Sequence, residues 1–332
     1  MKENLIHVVA AILLGLALPA MVAKYSISPG SEPTKSTQQT SATVHKNESS
    51  TTGVWVLTEN GSVQWMEQNA YLTGVILAEM PTSFDHQALC AQAVVARTYA
   101  LRRQKEGKHE QGAVCTDPGC CQAYVSEVEY LSGLGYKEDI LSARAAVEET
   151  NGLVLTYEGE VIEATYFHSA GGKTEDAVAV WGVAYPYLKA VESIGEDQVE
   201  PFTAEMFFSR EELERALDRA LPGSPSGWIG WTTYTTGGGV ENVVFAGVQY
   251  SGTRMRKLLK LNSTAFSMKA DTNGIWITTL GKGHRVGMSQ IGAQAMALDG
   301  YDYRQILAHY YPGTRIDKMA DVGYNTSKIS EE

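Results

Sequence analysis

Tyr71-Leu-Thr-Gly-Val-Ile-Leu-Ala-Glu79-Met-Pro81-Thr-Ser83-Phe-Asp85-His-Gln87-Ala-Leu-Cys90-Ala-Gln-Ala-Val-Val-Ala-Arg97-Thr-Tyr99-Ala-Leu-Arg-Arg103 decides how this chain folds. It reads as two helices joined by a corner. Residues 72–78 are nearly all apolar, which predicts a short buried helix. Pro81 disfavours helical geometry at Met80, so that helix ends there. Ser83 or Asp85 can cap the second helix. From 87 to 103, Leu89, Ala91, Val94, Val95, Thr98 and Leu101 recur at helical spacing. Arg97, Arg102 and Arg103 fall on or near the other side. Glu79 thus closes a buried apolar helix beside a proline corner. A carboxylate there is costly unless it is paired, hydrogen-bonded or protonated. A helix-end glutamate that simply reaches solvent is the ordinary alternative.

Working outward, the chain of 332 residues is long enough for one large domain or two, and its 44% hydrophobic content can fill a core. The formal charge is −11 and the sequence pI about 5.2. An acidic surface with no basic patch argues against nucleic acid as a partner. It is compatible with the uncharged backbone of a sugar chain. Residues 5–23 are apolar apart from His7, about the length that spans a bilayer core. Sites ending at Ala20 and Ala23 lack a small residue three positions back, which favours an uncleaved anchor over a signal peptide. Either way, the rest of the chain is expected outside the cytoplasm. Residues 26–52, rich in Ser, Thr, Pro, Gln and Asn, read as a flexible tether reaching on the order of 25–30 Å.

Beyond the central helices, His109, Cys115 and Cys121 are evenly spaced, with Cys120 beside them and an Asp-Pro-Gly turn between. Such a loop could close on zinc. A disulfide from Cys115 to Cys120 or Cys121, or free thiols, are the alternatives the spacing leaves open. Cys90 sits within the helical pattern and reads as a small core residue. A helix is predicted over 139–150, stopped by Gly152. Residues 153–157 and 161–167 read as a hairpin that delivers His168 and Ser169 at its end, before Ala170-Gly171-Gly172. Ser209-Arg-Glu-Glu212 has the form of a capping box, opening a helix to about residue 220. Strands are predicted over 228–235 and 241–248, a short helix over 252–261, and a hairpin from 265–270 to 275–280 around Asp271-Thr-Asn-Gly274. The Gly-rich segment 281–292 lacks the Gly-Lys-Ser/Thr ending of a phosphate loop, the dinucleotide-binding glycine spacing and the nucleophile-elbow spacing around Ser289. Its His284 and Gln290 are placed instead along a groove. A helix follows over 288–298.

Three ordered blocks carry a resemblance. They are Leu77-Ala-Glu79-Met80-Pro81 with Ala91-Gln-Ala-Val-Val-Ala-Arg97-Thr-Tyr99-Ala; Tyr166-Phe-His168-Ser169-Ala-Gly171-Gly172-Lys-Thr174-Glu175 with Val180-Trp181-Gly182 and Tyr185-Pro186-Tyr187-Leu188; and Gly281-Lys-Gly283-His284-Arg-Val286-Gly287-Met288-Ser289-Gln290-Ile-Gly292-Ala293 with His309-Tyr310-Tyr311-Pro312-Gly313-Thr314. This pattern resembles the stage II sporulation protein D family, which includes proteins described as amidase enhancers. Arg285 stands where the resemblance leads one to expect a glycine. The implied fold is α+β: a single mixed helix/sheet catalytic domain over 54–318, behind a membrane anchor (1–25) and linker (26–53), with a flexible tail at 319–332.

The resemblance further implies a lytic transglycosylase that cleaves denuded peptidoglycan glycan strands during sporulation, with Glu79 as general acid and base. A hydrolase usually needs two carboxylates, whereas a transglycosylase can use one. His109, Cys115 and Cys121 map onto a structural zinc site, with Cys120 as the possible fourth ligand. Arg97, His168, Ser169 and Lys189 become substrate-binding candidates beside His284 and Gln290. The implied partners are the glycan, a cell-wall amidase and a membrane scaffold protein. The implied location is the space between mother-cell and forespore membranes. A glycan-binding scaffold that stimulates an amidase is the rival reading.

Overall fold

Proline 81 does what its ring requires. In the computed structural model, which describes residues 52–133, 135–200 and 202–324, helix α1 (Gln68–Glu79) stops two residues before it. Met80 is extended, at φ −142° and ψ 136°, and its N–H closes the last turn on the Ile76 carbonyl. Helix α2 (His86–Glu106) starts on Asp85, whose carboxylate accepts the Gln87 N–H at 2.8 Å, and ends at Gly107 in the left-handed region. Helices α3 (Glu127–Ser132) and α4 (Lys137–Glu149) follow, and α4 lies against both α1 and α2. The sequence predicted an apolar side and a polar side for α2. Instead every residue from 88 to 101 is buried, because α4 covers the side that carries Arg97.

Strands β1 (Gly53–Leu57) and β2 (Val63–Glu67) form a hairpin, and β3 (Val114–Cys115) adds in parallel to β1, setting Cys115 beside Leu57. Strand β4 (Leu153–Tyr157) pairs with β5 (Glu160–Val161) on one edge and with Arg315–Lys318 on the other. The longer hairpin expected through residue 167 does not form. After Val161 the chain dives into the core, where tyrosine hydroxyls replace a partner strand. The Glu163 N–H donates to the Tyr187 hydroxyl at 3.1 Å, and the Tyr311 hydroxyl donates to the Thr165 carbonyl at 2.6 Å. Strand β6 (Tyr166–Phe167) then pairs elsewhere.

Short helices α5 (Ala177–Trp181) and α6 (Glu196–Val199) lead to a segment with its own hydrophobic core. It runs through β7 (Thr203–Ser209), α7 (Arg210–Leu217), β8 (Ile229–Tyr234), β9 (Val240–Phe245), β10 (Val248–Ser251), α8 (Gly252–Leu259), β11 (Phe266–Ala270) and β12 (Gly274–Leu280). Two antiparallel sheets, ordered β11-β12-β7 and β10-β9-β8, enclose Trp228, Phe245, Met255 and Ile277. The predicted Ser209 capping box is present, with the Ser209 hydroxyl accepting the Glu212 N–H. The main core resumes at β13 (Met288–Ser289), parallel to β6, and at α9 (Gln290–Leu298) and α10 (Tyr303–Tyr310).

Arg285 stitches the two cores together. Its φ is +67°, the left-handed region where a glycine is the easy choice. The buried guanidinium donates to the carbonyls of Ala170 (2.8 Å), Lys173 (2.6 Å) and Gly237 (2.8 Å), and to Glu175 Oε1 (3.2 Å). The same Oε1 accepts the Thr235 hydroxyl and the Gly239 N–H from the smaller-core segment. At the C-terminal end, Met319–Val322 forms a 3₁₀ turn and Met319 packs on Leu101, Val154 and Val161. The flexible tail expected from residue 319 therefore starts too early: the fold continues to Tyr324. The anchor at 1–25 and most of the linker lie outside the described residues. Among the described residues, no helix is long and apolar enough to cross a membrane.

Candidate active site

Helix α1 presents Glu79 to a groove of about 530 Å³. The carboxylate accepts the Ala123 N–H at 2.6 Å, and Tyr166 lies beside it. Burial raises the Glu79 pKa above the ordinary carboxylate range, and the Ala123 N–H and Tyr166 hydroxyl only partly oppose it. Among the described residues, no cation pairs with Glu79. Its backbone carbonyl accepts the Gln290 amide at 3.0 Å, so the Gly-rich segment holds the acid from behind.

The donor to Glu79 is held with equal care. Gln122 is fully buried, and its amide donates to the Tyr71 hydroxyl (3.2 Å) and the Ala96 carbonyl (3.4 Å) while accepting from the Tyr166 hydroxyl (3.2 Å). Gly74 lets this segment approach α1: a Cβ there would overlap the Tyr124 ring and the Val125 carbonyl. Immediately upstream stand Cys120 and Cys121. The ligand atoms of His109, Cys115, Cys120 and Cys121 all lie within 4.8 Å of one another. His109 Nε2 is 3.4 Å from Cys120 Sγ and 3.5 Å from Cys121 Sγ. Ideal zinc bond lengths at a tetrahedral angle put sulfur and nitrogen ligands about 3.5 Å apart. The donor set and its spacing therefore fit a four-coordinate zinc of the three-Cys, one-His type.

The other sequence candidates separate. Arg97 is fully buried and donates to the carbonyls of Val147 (3.2 Å), Thr150 (2.8 Å) and Leu153 (3.2 Å). It caps the end of α4 and does not line the groove, which corrects its expected role as a substrate-binding residue. The reason is helical: Cys90 and Arg97 are seven residues apart, so both face α4. Ser169 is buried with its backbone paired to Lys282, and His168 Nε2 sits 2.9 Å from Glu200. Lys189 is exposed, with its carbonyl accepting the Thr174 hydroxyl. None of His168, Ser169, Lys189 and Gln290 lines the groove; Gln290, expected along it, is buried with its amide spent on the Glu79 carbonyl.

His284 does line it, with Trp181, Tyr185, Arg103 and Glu163. The first two stand in blocks already quoted. Glu163 carries no signal in the sequence, and its pairing with Arg103 is made only by the tertiary fold. Glu163 is buried and ion-paired to Arg103, whose guanidinium also lies 4.6 Å over the Tyr99 ring. His284 packs between Phe167 (5.5 Å) and Trp181 (5.4 Å), and its Nδ1 accepts the Val286 N–H. Burial, with Arg256 nearby, pushes its pKa down to about 4. The ring is therefore neutral at neutral pH, with its proton on Nε2. A histidine depressed from about 6.5 contributes stability that is complete above that pH and is lost as pH falls toward about 4. Thermal melts across that window should show a steeper acid-side decline for the parent than for His284→Gln; equal slopes would count against the neutral ring.

A family model described as "Stage II sporulation protein" matches residues 58–157, which include α1, the proline corner, α2 and the cysteine loop. The chain is 36% identical over 267 residues to stage II sporulation protein D of Bacillus subtilis (strain 168), covering 79% of this chain and 77% of that protein. It is 35% identical over 295 residues to stage II sporulation protein D of Bacillus amyloliquefaciens, covering 87% and 82%. It is 29% identical to a Bacillus subtilis amidase enhancer, covering 74% of this chain and 40% of that longer protein. With the identity running through most of both sporulation proteins, the chain belongs to the stage II sporulation protein D family.

Proposed function

We propose that this protein is a lytic transglycosylase acting on the glycan strands of peptidoglycan, with Glu79 as its single general acid and base. The observation that carries the reading is a carboxyl group with a raised pKa on the wall of an open, aromatic-edged groove, without a cationic partner among the described residues. Such a group is protonated further toward neutral pH than an ordinary glutamate. Its proton passes to the glycosidic oxygen as the bond from C1 breaks. The resulting carboxylate then takes the proton of the muramyl C6 hydroxyl as that oxygen bonds to C1, closing an anhydro ring. Water is not consumed, so no second carboxylate is needed. Trp181 and Tyr185 offer flat faces to sugar rings, and neutral His284 can hydrogen-bond an uncharged hydroxyl without charge to desolvate.

His109, Cys115, Cys120 and Cys121 would hold a structural zinc. Four protein ligands leave no open position, so the ion's contribution is to fix the loop. Ala123, which donates to Glu79, follows Cys121 by two residues. Chelation should therefore lower the melting temperature and glycan turnover together, with both restored by added zinc. Turnover lost at an unchanged melting temperature would instead place the metal in the chemistry. The apolar segment 5–23 supplies a membrane anchor with the domain on the outer side, between mother-cell and forespore membranes, where an amidase and a membrane scaffold protein are the expected partners.

Mass spectrometry of products from purified denuded glycan tests the reaction. Anhydromuramyl ends are expected. Reducing ends would mean a hydrolase, for which Glu106 and Glu163 in the same groove are the candidate second carboxylates. The name of the amidase-enhancer relative favours one alternative, a non-catalytic scaffold; intact glycan beside a faster amidase would support it.

A further inference from the structure

A second cluster of metal-binding side chains stands apart from the groove and the cysteine loop. His86 opens α2, Cys90 follows four residues later on the same face, and Glu149 ends α4. One ligand atom from each lies within 4.8 Å of the others. His86 Nε2 is 3.5 Å from Cys90 Sγ and 2.7 Å from Glu149 Oε2. Cys90 is completely buried, whereas the His86 and Glu149 side chains are 41% and 45% exposed.

This arrangement resembles a nucleophilic triad but cannot work as one. Thiol and carboxylate address the same imidazole nitrogen, so the ring cannot take a proton from one while the other orients its far side. A buried sulfur is also closed to substrate. What the geometry does offer is three different donors, S, N and O, converging on one point from two rigid helices.

We propose that His86, Cys90 and Glu149 form a second divalent-cation site, suited to zinc, with one coordination position open to solvent. Tetrahedral zinc needs sulfur and nitrogen about 3.5 Å apart, which the pair already meets, and nitrogen and oxygen about 3.4 Å apart. The His86–Glu149 contact must therefore open by roughly 0.7 Å, a movement available to two half-exposed side chains on helix ends. The mixed donor set favours a borderline ion over magnesium or calcium, which take oxygen ligands. An ion here would clamp the start of α2 to the end of α4. The other end of α4 is already tied to the same corner, because the Thr82 hydroxyl donates to Asp139 at 2.6 Å. The site thus closes a second fastening on the turn that follows Glu79.

The full-length chain, stripped of metal and titrated with zinc against a chromophoric chelator, should bind one more equivalent than its His86→Ala variant. His86 is exposed enough for that variant to fold, which circular dichroism checks. With cobalt in place of zinc, the spectrum of the parent minus that of Cys90→Ala should contain a thiolate-to-cobalt charge-transfer band. Zinc should also raise the melting temperature of the parent by more than that of His86→Ala. Equal stoichiometry in parent and His86→Ala would overturn the site and leave a simple hydrogen-bonded pair. An extra equivalent without a Cys90-dependent band would overturn it as an adventitious surface ion. Because the readout is a difference between variants with intact cysteine loops, it does not depend on what that loop binds.

Discussion

Replacing Glu79 with glutamine should lower cleavage of denuded glycan by at least about 10²- to 10⁴-fold, the range that a positioned general acid contributes. That is a barrier increase of roughly 3–5 kcal/mol. Retained glycan binding would separate this loss from a loss of affinity. The glutamine oxygen can still accept the Ala123 N–H, so the local fold should persist. The direction of the Glu79 pKa shift adds an independent readout. Burial raises the folded-state pKa, so keeping the carboxylate at neutral pH costs the folded protein stability. That cost is absent below the ordinary value, near 4.3, and grows as pH rises through the window above it. Glu79→Gln should therefore melt at the same temperature as the parent, or higher, at neutral pH, with the difference closing in acid. The parent's glycan turnover should fall on the alkaline side as the acid loses its proton. A variant that keeps full turnover, or that melts well below the parent, would show that Glu79 serves the fold and not the reaction.

The largest expected effect on stability lies at Arg285 and Glu175. Both side chains are buried, and their pairing joins the main core to the smaller one. Removing one member leaves an uncompensated charge in a place that water cannot reach. Glu175→Gln and Arg285→Ala should each cost about 3–5 kcal/mol. For a folded unit of this size that is a melting shift on the order of 10 °C. Arg285 adds a second term, because its backbone occupies the left-handed region at φ +67°. Glycine relieves about 1–2 kcal/mol of that strain. Arg285→Gly should therefore be less damaging than Arg285→Ala, by a margin that calorimetry resolves. The double variant Glu175→Gln with Arg285→Gly should lose less than the sum of the single losses, since the pair shares one network. Strict additivity would show that the two charges act independently. This residue replaces the glycine that the resemblance leads one to expect, and its bonds to Ala170, Lys173 and Gly237 explain what the exchange provides.

The proline corner, the cap on α2 and the closeness of His109, Cys115, Cys120 and Cys121 could be read directly from residue order. Pro81 acts on its immediate neighbour, a capping Asp85 acts within two residues, and closely spaced cysteines meet because the loop between them is short. The role of Arg97 could not be read that way. Helical spacing fixed which face of α2 it occupies relative to Cys90, but not that α4 would cover that face and turn the guanidinium toward backbone carbonyls. The groove raises the same difficulty. Glu163 leaves its expected strand, pairs with Arg103 sixty residues away and enters the wall opposite no sequence motif. The sequence by itself determined the local elements, because caps, corners and short loops are decided by neighbours within a few residues. Only the tertiary structure decided which charged groups reach the groove and which are spent on the core, because burial is settled by segments far apart in the chain that exclude water together.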